Sequence, residues 1–155
     1  MQIIPAIDLR GGKVVRLIQG DPARETRYGD DPAAMAERWE RLGAPRLHLV
    51  DLDGALHGSP ANQAALAAIF RAIRIPAEVG GGLRDLDAVR AVLDLGAAVA
   101  VLGTAAIRDP KFLEAACAAF PTLTSNRSCR RKPLDRHHPQ RAGHPCRRHA
   151  GLAPG

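Results

Sequence analysis

No apolar run in this chain approaches the roughly 18 residues of a membrane-spanning helix. The first residues, MQIIPAIDLRGG, hold no basic segment followed by a long apolar one. Neither a membrane segment nor an export signal is therefore expected, and the protein is read as cytoplasmic. Cysteine is scarce: Cys117, Cys129 and Cys146 are odd in number, which argues against a disulfide framework. No aromatic residue lies after Phe120.

The charge balance is uneven. The net charge of +6 and the pI near 10.0 would suit a nucleic-acid or membrane-surface protein. Residues 1 to 121, however, hold 14 Lys and Arg against 15 Asp and Glu, a net of −1, while residues 122 to 155 hold 8 against 1, a net of +7. All of the excess positive charge sits after Pro121. That tail has no Val, Ile, Phe, Tyr or Trp, so it can form neither strands nor a core, and its Arg, Pro and His content predicts disorder. A GC-rich gene read in the wrong frame gives this mixture, and residues 122 to 155 are read as a frameshifted or otherwise aberrant end. Zinc binding by Cys129, His137, His138, His144, Cys146 and His149 is disfavoured, because no C-x2-C pair or finger spacing is present. A basic nucleic-acid arm would lack rings on which to stack bases.

Residues 1 to 121 are dense in periodic signals. Four short apolar runs of strand length, 2 to 9, 46 to 52, 76 to 82 and 97 to 104, each end in Asp or Gly. Helical patterns fill the gaps. Asp31-Pro32 starts the first, with Met35, Trp39 and Leu42 on one face and Gly43 as a stop. The second, roughly 60 to 73, turns Leu66, Ile69, Phe70 and Ile73 inward. The third follows Asp85 and stops at Gly96, and Asp109-Pro110 opens a fourth. Strands without polar alternation, each followed by a helix, predict an α/β fold with a parallel sheet covered by helices. Asp8, Asp51, Asp53, Gly80 to Gly82 and Gly103-Thr104 should then converge on the carboxyl edge of that sheet.

Several of these residues suit anion chemistry. Gly80-Gly81-Gly82 lets backbone approach an anion closely, and Gly103-Thr104 repeats the arrangement with a hydroxyl. The competing reading is a tight turn. Asp8 is either a cap for the Arg10-Gly11-Gly12 loop or a catalytic carboxylate. Asp51 and Asp53, alternating along a strand, should share one side, with rim hydrogen bonding expected for at least one. Arg16 and Arg84 are either salt-paired or ligands for an acidic substrate. His48 reads as a packed strand histidine, and Trp39 as core.

Four motifs in order, IIPAIDLRGGKVVRLIQGD, LHLVDLDGA, EVGGGLR and AVLGTAAI, closely resemble the sugar isomerase family of histidine biosynthesis. The related cyclase family carries Cys before its first-strand Asp, where Ala6 and Ile7 precede Asp8 here. The resemblance covers residues 1 to about 121 and implies the N-terminal half of a (β/α)8 TIM barrel, with four strand-helix units. It implies an Amadori rearrangement of a phosphorylated ribotide without metal or other cofactor. Asp8 matches the family's first-strand base. Gly81, Gly82, Gly103 and Thr104 match one phosphate site, and Arg16 and Arg84 match basic positions near the substrate.

In that family a second carboxylate and a second phosphate site come from later strands. Nothing after Pro121 supplies them, since Asp135 is flanked by Leu134 and Arg136 rather than by a strand. The truncated chain is therefore expected to be inactive, the alternatives being a phosphosugar-binding half-barrel without turnover or a basic nucleic-acid-binding protein. Four units should also leave the first and fourth strands with unpaired edges, and a homodimer pairing them would restore eight strands.

Overall fold

The structure, a computed structural model, describes residues 3–120, and the expected disorder of residues 122–155 lies outside them. The described chain forms one six-stranded sheet: β1 (Ala6–Arg10), β2 (Lys13–Ile18), β3 (Asp21–Gly29), β4 (Leu47–Asp51), β5 (Ala77–Gly80) and β6 (Val99–Val101), in the order β3-β2-β1-β4-β5-β6. Strands β1, β4, β5 and β6 are mutually parallel. With helices after each, they make four strand-helix units, the N-terminal half of a TIM barrel.

The helices are α1 (Pro32–Arg41), α2 (Leu52–His57), α3 (Gln63–Ala72), α4 (Leu86–Asp94), α5 (Thr104–Arg108) and α6 (Pro110–Ala119). Asp31, Asp85 and Asp109 cap α1, α4 and α6 through their carboxylates, each accepting from backbone N–H groups of the first turn. Leu42 departs from the expected inward face and is exposed. It is the C-cap of α1, where the backbone has left helical geometry and no longer aims the side chain at the core.

Register divides the sheet into two faces. Ile7, Leu9, Leu47, Leu49, Ala77 and Val79 alternate onto the side packed against Leu66, Ile69, Val89 and Val92 of the helices, with Met35, Trp39 and Phe70 partly buried around them. Full burial of a Leu, Ile or Val side chain here contributes about 1.5–3 kcal/mol. On the other side stand Asp8, His48, Val50, Glu78, Val99 and Val101, all half-buried. The core therefore sits between sheet and helices.

The hairpin of β2 and β3 is absent from the sequence expectation, and it corrects the forecast of a free edge on the first strand. Arg10 pairs with Lys13 and Ile18 with Asp21, leaving two-residue turns at Gly11-Gly12 and Gln19-Gly20. All four turn residues have positive φ, between 54° and 76°, as tight hairpin turns demand. β2 thus occupies the edge of β1, and the outermost strand, β3, is exposed and rich in charge.

Candidate functional site

Parallel pairing fixes the level of each strand end. Asp8 is in register with Val50, Val50 with Gly80, and Gly80 with Val101. The segments that follow β4, β5 and β6 therefore emerge along one edge. They enclose a cavity of about 260 Å³ whose wall includes Gly81, Gly82, Arg84, Gly103 and Thr104, over a floor containing Val50 and Val101. The four residues expected as a phosphate site, Gly81, Gly82, Gly103 and Thr104, line it together with Arg84, expected as a basic position near the substrate.

The glycines there do different jobs. A Cβ on Gly81 (φ 103°) would run into the carbonyl oxygen of Asp51, and one on Gly82 (φ 74°) would stand 2.8 Å from the carbonyl oxygen of Gly54. Both positions are thus fixed by close packing of the β5 end against the start of α2. Gly103 differs, since a Cβ there meets no heavy atom within 4 Å. Arg84 has no carboxylate partner among the described residues, and its guanidinium donates to the carbonyl of Ala55 across 3.3 Å. It also borders a neighbouring cavity of about 390 Å³, shared with Thr104 and reaching Arg108 and Phe112.

Asp8 lies one strand from Val50, about 4.8 Å away in the direction of pairing. Its carboxylate is 3.4 Å from a guanidinium nitrogen of Arg16, which lies on β2. Both line a different cavity of about 350 Å³, with Tyr28, Arg38 and Trp39. The expected site residues thus fall into two neighbouring groups rather than one pocket.

The loop after β1 is held without Asp8. Gly11 N–H donates to Asp53 across 2.6 Å, and Gly12 N–H donates to the side-chain oxygen of Asn62 across 2.8 Å. Asp53 and Asn62 therefore hold the Gly-Gly turn, a task that the sequence left open for Asp8.

Asp51 and Asp53 do not share a strand face, because β4 ends at Asp51 and the chain has turned into α2 by Asp53. Asn62 brings them together instead. Its amide nitrogen lies 2.6 Å from Asp51 and 2.9 Å from Asp53. Asp51, 1% exposed, also accepts from the N–H groups of Gly54, Ala61 and Asn62. Burial works against ionisation of Asp53, but the Gly11 and Asn62 hydrogen bonds, helped by Arg10 and His57, outweigh it and hold its carboxyl below the ordinary 3.8. The role of Asn62 escaped the sequence reading. It stands where a helix N-cap belongs, yet its side chain makes no cap bond to α3.

His48 sits on the open sheet face with Nδ1 2.8 Å from Glu78, which Arg46 also approaches at 3.5 Å. This group lies one layer away from Asp8, at the level of Ala6. Among the described residues, no cluster of His, Cys, Asp or Glu could hold a metal ion, and no helix is long and apolar enough to cross a membrane.

A family described as histidine biosynthesis protein matches residues 2–125. Relatives named 1-(5-phosphoribosyl)-5-((5-phosphoribosylamino)methylideneamino)imidazole-4-carboxamide isomerase are similar over the same region. The one from Geotalea uraniireducens is 54% identical over 121 residues, covering 78% of this chain and 49% of the relative. Those from Desulfosudis oleivorans and Bordetella pertussis are 51% and 53% identical over 121 and 123 residues, covering 78% of this chain and 48% and 50% of themselves. The chain spans about half the length of the curated relatives it matches.

Proposed function

The chain belongs to the histidine biosynthesis protein family, and on that premise we propose that it carries the N-terminal part of a sugar-phosphate isomerase site. The ligand is a phosphorylated ribotide. One of its phosphates sits in the cavity of Gly81, Gly82, Arg84, Gly103 and Thr104, and Asp8 faces the reacting carbons, with Arg16 beside it. The observation that carries this reading is that five separately read residues line one cavity while Asp8, relieved of any task in the Gly-Gly turn, stands one strand away.

The reaction is an Amadori rearrangement from aminoaldose to aminoketose. It needs an acid to open the ribose ring and a base to take the C2 proton, each worth about 10² to 10⁴ in rate. Asp8 is the base. Asp51 and Asp53 are committed to backbone and Asn62 hydrogen bonds, so neither is available as the complementary acid. This chain by itself is accordingly expected to bind the phosphosugar without turning it over. A cytoplasmic location goes with the biosynthetic role, and no specific nucleic-acid partner is part of this reading. Two copies meeting through their open sheet faces would form the homodimer, with β6 rather than β1 offering an unblocked strand edge.

Titration of the full chain with ribose 5-phosphate, followed by amide NMR, tests the reading. Saturable shifts at Gly82, Gly103 and Thr104 are expected, and their absence removes the phosphate site. A parallel assay of ribotide isomerisation should give no turnover. Turnover lost in Asp8→Asn would overturn the inactivity while supporting the role of Asp8.

A further inference from the structure

We propose that Gly58 is a positioning residue for Arg84, and that its missing side chain is the seat in which the guanidinium lies. Gly58 ends α2 as its C-cap, in a left-handed conformation (φ 89°), with its N–H donating to the carbonyl of Gly54 across 2.7 Å. That role alone accounts for a glycine, since left-handed backbone favours it. The space around it needs a second explanation. A Cβ on Gly58 would overlap a terminal nitrogen of Arg84, lie 2.5 Å from its Cζ and 3.0 Å from its Nε. The guanidinium thus fills the volume that any other residue would claim.

The seat also has a physical attraction for a cation. Arg84 donates to the carbonyl of Ala55 in α2, and the C-terminal carbonyls of a helix carry partial negative charge. Held there, the guanidinium stands on the wall common to the glycine cavity and the cavity that reaches Arg108. Among the described residues no carboxylate competes for it. An arginine pre-placed in this way loses less rotamer freedom when an anion arrives. What Arg84 does for a ligand rests on the phosphate-binding reading above, whereas where it sits does not.

Gly43 supplies the control. It follows α1 in the same left-handed conformation (φ 86°), but a Cβ there would meet nothing within 4 Å. Gly58→Ala and Gly43→Ala therefore impose similar backbone strain, and only the first evicts a side chain. The full chain and both variants are titrated with inorganic phosphate, with and without Arg84→Ala, and the Arg84 Nε–Hε resonance is followed by NMR. Gly58→Ala is expected to shift that resonance and weaken phosphate binding about tenfold, the loss of roughly one charge-assisted hydrogen bond. Gly43→Ala should do neither, and Gly58→Ala should cost nothing further once Arg84 is Ala. An unmoved resonance, or an equal loss of affinity in the Arg84→Ala background, overturns the proposal. If the native chain binds no phosphate, the functional reading falls and the resonance alone decides the positioning role.

Discussion

The side-chain nitrogen of Asn62 donates to Oδ1 of Asp51 across 2.6 Å, and its side-chain oxygen accepts from Gly12 N–H across 2.8 Å, so one amide ties the end of β4 to the turn after β1. Asn62 is 5% exposed and Asp51 1%. Replacing the amide by a methyl leaves a buried carboxylate and a backbone N–H short of partners. Asn62→Ala is expected to cost about 2–3 kcal/mol. Asn62→Asp should cost more, because it places a third carboxylate against Asp51 and Asp53. Urea unfolding of both variants checks the order.

Asp53 gives the same network a pH dependence. Its folded-state pKa lies below the ordinary 3.8, so ionised Asp53 favours the folded chain. The sign follows from linkage: the contribution is present above the unfolded pKa and is lost as pH falls below 3.8 through the lower folded value. Asp53→Asn should therefore flatten that acid limb of the stability profile. Chemical denaturation across this range, run on both proteins, would show identical limbs if the Gly11 and Asn62 bonds were unimportant.

Glycines around the cavity should separate by neighbour rather than by closeness to a ligand. Gly81→Ala drives a Cβ against the Asp51 carbonyl from a left-handed backbone and is expected to cost about 3 kcal/mol or more. Gly103→Ala meets open space and should change stability by less than about 0.5 kcal/mol. Only Gly103→Ala can therefore report on phosphate affinity free of folding effects, and a several-fold loss is expected there. Thermal melts alongside the titration separate the two effects.

Which elements were legible in the sequence follows from what each one buries. Leu47 and Leu49 are fully buried, as are Leu66 and Ile69, and apolar periodicity announced β4 and α3. β3, with Arg24, Glu25 and Arg27 exposed along an edge, buries little and left no apolar trace. The signals for the hairpin were its turn chemistry, Gly11-Gly12 followed by Gln19-Gly20, and the buried Val14-Val15 pair of β2. The short helices α2 and α5 are held between strand ends and the next helix, too brief for a periodic pattern. In the site, Gly81 and Gly82 were legible as glycines needed at a strand end. That their neighbours are Asp51 and Gly54, about thirty residues earlier, is a tertiary fact that spacing does not encode.

The two edges of the sheet make different demands on assembly. β3 is nine residues long, exposed and charged, features that discourage a further strand from pairing. β6 is three residues, Val99 to Val101, without charge, and among the described strands it pairs only with β5. Val99 and Val101 also stand on the face that none of the described helices covers, beside Glu78 and Gly80. Self-association should therefore proceed through β6 and the adjoining open face. Val99→Lys places a charge on that face and is expected to lower the average mass seen by light scattering over a concentration series. Thr26→Lys adds the same charge on β3, opposite Arg16, and should leave the mass unchanged. Equal effects from the two substitutions would mean that net charge, and not the β6 edge, governs association.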